Sequence, residues 1–335
     1  MMPCAARRSI DAAMPFCHAN MDKDQTPDIT LKITAVLCVR NEAAFLLDWV
    51  AWHRAVGITD FVIVSNDCDD GTDVMLDRLS VLGGVTHIRN AAPYGKGGIQ
   101  FSGLKLASKT DAVRTADWLI VLDIDEFINV HAGNRTLTDV IAAVPDATAV
   151  TLTWRVFGNA GVVAYEDQPV PVQFTRTGPR SMPWPWRAAM FKTLYRNDRT
   201  YRNLGVHRPR NPVEARVSEA RWFDGSGREL GPEMATSRIF SDYTRDNHAL
   251  VQLNHYPLGA IHSYVLKSDR GRAVHSKDVL GLDYWVERNL NTETDLSGAQ
   301  FWAAAQPYRD ELTQDETLVR LHADAVQWRK HRFEA

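Results

Sequence analysis

Residues 121–128 (VLDIDEFI) place two carboxylates, Asp123 and Asp125, two positions apart at the end of an apolar run, WLIVL. On an extended segment such a pair shares one side of the chain. Two carboxylates set together repel unless a cation lies between them. A divalent ion would meet that need, because Mg²⁺ or Mn²⁺ takes hard oxygen ligands from one or two carboxylates and completes its shell with water and phosphate. The ordinary alternative is that one Asp caps the following turn while the other is solvated. Other apolar runs end in polar residues too: Arg40, Asn41 and Glu42 after ITAVLCV, and Asn66, Asp67, Asp69 and Asp70 after DFVIVS. Ligands of parallel α/β sheets collect at the carboxyl ends of the strands, which is where these residues fall.

The elements that must position them follow from two hydrophobic periods. Short runs rich in β-branched residues (33–39, 60–67, 85–91, 117–125, 149–158) alternate with segments of helical spacing (42–57, 72–83, about 98–115, and one opening at Thr136). Strands alternating with helices of 10 to 15 residues predict βαβ units and a mostly parallel sheet, and Gly57 marks the end of the first helix. From residue 161 the text turns to prolines and aromatic residues, which reads as loops and short strands, and from Tyr264 it reads as helical again. The expected organisation is an N-terminal flexible extension over 1–30, an α/β half over 31–160, a loop-rich region of the same domain over 161–265, and a C-terminal helical appendage over 266–335.

The 335 residues are 45% hydrophobic and 24% charged, an ordinary globular balance. With 38 Lys and Arg against 41 Asp and Glu, the formal charge of −3 argues against a general nucleic-acid binder. Between Arg176 and Arg221, ten Arg and Lys192 face only Asp198, Glu214 and Glu219. That stretch is either a solvated surface paired with acids elsewhere or an anionic-ligand surface. Four unevenly spaced cysteines suggest neither a disulfide framework nor a zinc ribbon. No run approaches the roughly 20 apolar residues of a membrane span, and the N-terminus makes a poor secretory signal, so a cytoplasmic location is expected, with peripheral contact at the inner membrane surface left open. G-x-G-x-x-G after the first strand, a P-loop and G-x-S-x-G are all absent.

Four segments in order, VRNEAAFLLDWVAWHRAVGITDFVIVSNDCDDGT, WLIVLDIDEFINV, WRVFGNAG and NHYPLGAIHSYVLKSDRGRA, resemble family 2-like glycosyltransferases related to glycosyltransferase family 92. The resemblance spans about residues 33 to 280. It implies a GT-A fold, a nucleotide-sugar donor (a UDP-sugar first), Mn²⁺ or Mg²⁺, and inversion at the anomeric carbon. Matched residue by residue, it assigns Arg40, Asn41 and Glu42 to the nucleoside pocket, with Asn66, Asp67 and Asp70 beside it. It assigns Asp123 to nucleotide and metal, and Asp125 and His255 to the metal. Lys96 and Gln100 fall in the region that approaches the donor in such folds.

Inversion requires a carboxylate to take the acceptor hydroxyl's proton. Glu166 and Asp167, just after WRVFGNAG, are the candidates, and an exposed acidic turn is their plainer reading. Without the E-D and Q-x-x-R-W pattern of processive synthases, transfer of a single sugar to a glycan or lipid-linked acceptor is expected. Trp184 and Trp186, with Tyr195 and Tyr201 nearby, could offer flat faces to a sugar ring, although core packing explains any one of them as well. Two alternatives stand beside this reading: a haloacid-dehalogenase-like phosphatase, which also uses D-x-D at a strand end, and a non-catalytic glycan-binding protein on the same fold.

Overall fold

In the computed structural model, which describes residues 31–95, 97–269 and 280–334, the run ITAVLCV forms the strand β1 (Ile33–Val39) inside a nine-stranded sheet. Helix α1 (Ala43–Ala55), β2 (Asp60–Ser65), α2 (Thr72–Leu82), β3 (Val85–Arg89), α3 (Gly98–Ala107) and β4 (Trp118–Leu122) follow in the expected alternation. The further long elements are β5 (Glu126–Val130), α4 (Leu137–Ala143), β6 (Ala149–Val156), β7 (Phe191–Arg196), the short β8 (Trp222–Phe223), β9 (Val251–His255), α5 (Ile261–Asp269), α6 (Ser297–Leu312) and α7 (Glu316–Glu334). The expected extension over 1–30 and Lys96 lie outside the described residues, as does the segment 270–279 of the expected appendage.

The sheet runs β3-β2-β1-β4-β7-β6-β9-β5, with β8 also paired to β6. β1 is parallel to β2 and β4, β2 to β3, and β6 to β8 and β9. β7 is the exception near the middle, antiparallel to both β4 and β6, and β5 is antiparallel to β9. The sheet is thus mostly parallel and flanked by helices, as the alternation of periods predicts.

Local chemistry fixes the element ends. Gly57, at φ 98°, ends α1 and donates to the Arg54 carbonyl, and Thr136 with Asp139 forms a capping box at the start of α4. The expected strand over 117–125 stops at Leu122; the chain turns through 123–125 and re-enters the sheet at its far edge as β5. Helix α1 holds that edge, since Trp49 and Trp52 donate their indole N–H groups to the Glu126 and Ile128 carbonyls at 3.0 and 2.7 Å.

The C-terminal helices are integral to the core rather than appended to it. Phe301 of α6 lies 4.8 Å from the Trp52 ring, Arg309 donates to Asp48 at 2.6 Å, and Leu318, Ala325 and Val326 of α7 join the same buried cluster as β1 and α1. Among the described residues no helix is long and apolar enough to cross a membrane.

Candidate active site

The carboxyl ends of β1, β2 and β4 open into a cleft of about 1030 Å³. Arg40, Asn41, Glu42, Asn66, Gln100, Asp123, Asp125, Glu166 and His255 all line it, so the fold gathers residues far apart in sequence. Asn41 and Asp67, at φ 56° and 47°, adopt the left-handed conformation where β1 and β2 end, a strain that Asn and Asp tolerate better than other residues. The Asn41 side-chain Oδ1 accepts the Asp69 N–H at 2.9 Å, binding the two strand ends together.

Asp67 and Asp70 are not among the lining residues. Asp67 accepts from the Tyr94 hydroxyl at 2.5 Å. Asp70 is buried, and its two oxygens accept from the Ala43 N–H (2.9 Å), the Thr72 N–H (2.9 Å) and the Thr72 hydroxyl (2.6 Å). Its carboxylate therefore joins the entries of α1 and α2.

Asp123 and Asp125 sit in a tight turn, not on an extended segment. The Glu126 N–H donates to the Asp123 carbonyl at 3.1 Å, and the Glu126 side chain accepts the Asp123 N–H in return at 2.8 Å. The register of β5 against β9 sets His255 opposite Glu126, and the Tyr256 N–H donates to the Asp125 carbonyl at 2.8 Å. That pairing brings His255 Nε2 to 3.8 Å from Asp125 Oδ1.

The repulsion expected between the carboxylates is relieved by two lysines. Lys192, fully buried on β7, holds Asp123 Oδ2 at 2.8 Å and Glu126 Oε2 at 3.3 Å. Lys267 of α5 donates to Asp125 Oδ2 at 2.7 Å and to the Pro257 carbonyl at 3.0 Å. Trp154 completes the network by donating to Glu126 Oε1 at 2.7 Å while its ring lies 4.1 Å from that of His255. Trp154 and Lys267 fall inside WRVFGNAG and NHYPLGAIHSYVLKSDRGRA, whereas Lys192 falls in none of the four segments. Lys192 sits in FKTLYR, where a lysine reads as a solvent-facing strand residue.

Burial would raise the Asp125 carboxyl, but Lys267 and then His255 hold it well below the usual carboxylate range. Burial pushes Glu126 up, helped by Asp123 and Asp125 and opposed by Lys192. Lys192 itself is raised, since Asp123 and Glu126 outweigh the burial that would lower it. Burial pushes His255 down to about 3, so its ring is neutral near pH 7 and keeps a lone pair.

A hard carboxylate oxygen and a neutral imidazole nitrogen suit Mg²⁺ or Mn²⁺, and at 3.8 Å they are too far apart to satisfy each other by a hydrogen bond. Among the described residues no three His, Cys, Asp or Glu side chains converge on one point. An ion here would have few protein ligands and would rely on water and a diphosphate for the rest, the usual condition for Mg²⁺.

Glu166 and Asp167 part company. Glu166 lines the cleft, whereas Asp167 is bound by His322 of α7, with Nε2 at 3.0 and 3.1 Å from its two oxygens. Much of the basic stretch is consumed structurally: Arg221 pairs with Asp146 and Glu229, Arg180 with Asp246, and buried Arg208 lies over Trp222. This is the paired-surface reading. Trp186 lines the cleft under the Arg187 guanidinium, while Trp184 is exposed away from it and Tyr195 is core.

Residues 34–220 match the model of glycosyltransferase family 92. A family 92 protein of Oryza sativa subsp. japonica is 34% identical over 104 residues, covering 31% of this chain and 17% of that one. Another from Ricinus communis is 25% identical over 155 residues, covering 43% and 26%. The chain thus matches only a minor part of either relative's length. Among solved structures, S. aureus TarS 1–349 in complex with UDP is similar at 14% identity and a TM-score of 0.32, covering 50% of this chain and 47% of that one. Glucosyl-3-phosphoglycerate synthase from Mycobacterium tuberculosis, in complex with Mn²⁺, UDP and phosphoglyceric acid, is similar at 14% identity and a TM-score of 0.25, covering 37% and 44%. With more than half its residues matched by one family model, on a sheet whose strand ends carry the acidic turn, the chain belongs to glycosyltransferase family 92.

Proposed function

We propose that this protein is a GT-A-type glycosyltransferase that binds a UDP-sugar in the cleft and transfers one sugar, with inversion, to a glycan or lipid-linked acceptor. The observation that carries the reading is the Asp123–Glu126 turn, set opposite His255; its Asp123 and Asp125 line the same cleft as Arg40, Asn41, Glu42 and Asn66.

Asp125 and His255 would hold Mn²⁺ or Mg²⁺, which when bound offsets the charge that develops on the departing diphosphate. Asn41, Glu42 and Asn66 offer amide and carboxylate groups to a nucleoside. Lys267 and Arg288, both lining the cleft, bring positive charge to the side where a diphosphate would leave. Glu166 is the proposed base: it accepts the acceptor hydroxyl's proton as that oxygen bonds to the anomeric carbon and the carbon–phosphate-oxygen bond breaks on the opposite face. Trp186 supplies an apolar face for a sugar ring. Family membership weighs against the phosphatase alternative, and a binder that has lost the reaction is distinguished by donor hydrolysis.

The test is a thermal-shift panel of UDP, GDP, CMP and dTDP, each with and without Mn²⁺. Ligand at about 100 times its dissociation constant stabilises the native state by about 2.7 kcal/mol. A metal-dependent shift with UDP is the expected result. No shift with any nucleotide would overturn the donor assignment, and a shift without donor hydrolysis or transfer would favour the binder.

A further inference from the structure

We propose that Lys192 is a positioning residue of the donor site, an internal counter-ion that sets the Asp123–Glu126 turn in place before a metal or nucleotide arrives. The inference rests on the donor-site reading above.

Lys192 is fully buried in the interior strand β7, a place where an ammonium is costly unless it is paired. Its partners come from one turn: Asp123 Oδ2 at 2.8 Å and Glu126 Oε2 at 3.3 Å. Glu126 is wholly inaccessible and already accepts from the Asp123 N–H and the Trp154 indole, so it has good reason to recruit a cation. Asp123 has none of that need. Its carboxylate is 36% exposed in the cleft, where water could solvate it, yet it receives the shorter of the two contacts. The ammonium therefore fixes one oxygen of a cleft-lining carboxylate that would otherwise be free to rotate. Gln100 approaches the second oxygen at 3.4 Å. Through Glu126 and Trp154 the same ammonium is linked to the ring packed on His255, so both arms of the acidic site are held from β7 and β6.

Charge follows the same logic. Asp123, Asp125 and Glu126 crowd three carboxyl groups into one turn, and Lys192 with Lys267 places two ammonium groups against them. The turn can then stay assembled without a metal.

The experiment compares wild type, Glu126→Gln, Lys192→Met and the double variant Lys192→Met/Glu126→Gln. Melting is followed in EDTA, and UDP affinity is measured by calorimetry with Mn²⁺. Lys192→Met alone should melt far below wild type, because it removes the ammonium that both Asp123 and the wholly buried Glu126 contact. The double variant should regain most of that loss yet bind UDP at least 10-fold more weakly than Glu126→Gln. UDP binding by the double variant within threefold of Glu126→Gln would overturn the proposal, leaving Lys192 a mere counter-charge for Glu126. Wild type with no affinity for UDP and Mn²⁺ would overturn the donor-site reading itself, and the inference with it.

Discussion

His255 Nε2 faces Asp125 Oδ1 across 3.8 Å, although the two residues lie 130 positions apart. The register of β5 on β9 produces this approach. Asp125→Asn or His255→Ala should therefore weaken Mn²⁺-dependent UDP binding by at least about 10-fold, or roughly 1.4 kcal/mol. Calorimetry in Mn²⁺ and in EDTA checks this, and equal affinities in the two buffers for wild type would contradict it. Stability should fall moderately. Asp125→Asn takes the carboxylate from the mostly buried Lys267, which keeps its bond to the Pro257 carbonyl, a loss of about 1 to 3 kcal/mol.

Asp70 is expected to behave differently from Asp123. Its substitution by Ala removes the acceptor for two backbone N–H groups and one hydroxyl at buried positions. Leaving such donors unsatisfied costs about 1 to 3 kcal/mol each at most, with water entry reducing the sum. We expect chemical denaturation to show a loss of about 2 to 3 kcal/mol while UDP affinity of the folded fraction stays within threefold. A 10-fold loss of affinity with unchanged stability would instead return Asp70 to the nucleotide pocket.

How far the sequence could be read depended on whether a feature is local. ITAVLCV, the Gly57 stop and the Thr136 cap are decided by neighbouring residues and stand where their spacing puts them. The D-x-D was visible, but its conformation was not, because the strand's end is set by Glu126 folding back onto the Asp123 N–H. Lys192 reaches its partners over 66 and 69 positions, and His322 reaches Asp167 over 155, distances at which no periodicity carries information. The place of the C-terminal helices did leave a signal. Helix α1 buries Leu46, Leu47, Trp49, Val50 and Trp52, too broad an apolar surface to be covered by one sheet, so another layer was needed.

That second layer gives a stability prediction. Phe301 is almost fully buried between Trp52 and the Arg135 guanidinium, at 4.8 Å from each. Phe301→Ala should cost about 3 to 5 kcal/mol, as large aromatic truncations in cores do. Urea unfolding followed by tryptophan fluorescence measures it. A loss below about 1 kcal/mol would mean that α6 is peripheral after all.

Acid should destabilise the protein well above the range where exposed carboxylates titrate. His53 is fully buried, its Nδ1–H donates to the Trp49 carbonyl at 2.8 Å, and burial pushes it down to about 3. In the unfolded chain a histidine titrates near pH 6.5. Between those values the unfolded state binds the proton and the native state does not, so this stability is complete above pH 6.5 and lost as the pH falls toward 3. From pH 6.5 to 4.5 the loss is at most about 2.7 kcal/mol for this one group. The stability difference between wild type and His53→Gln should therefore change across that range. A pH-independent difference would show that His53 is not buried as the neutral ring.

Glu166 and Asp167 are adjacent, and chemistry alone would let either serve as base. The structure separates them by what each touches. Asp167 is bound by His322, whose hydrogen bond holds its carboxyl below the usual range even as burial opposes it. A carboxylate made less basic and engaged on both oxygens is poorly suited to take a proton. Glu166 lines the cleft, and among the described residues the one side-chain donor it meets is Gln168, two residues on, at 3.0 Å. Glu166→Gln keeps the shape and removes the basicity, so it should lower kcat by about 100-fold or more, the usual contribution of general-base catalysis, with KM for the donor little changed. Asp167→Asn should instead loosen the tie between the loop and α7, lowering the melting temperature while leaving kcat within a few-fold. Steady-state kinetics of both variants with one acceptor decide the matter. A greater loss of kcat in Asp167→Asn would exchange the two roles and require His322 to release its partner during turnover.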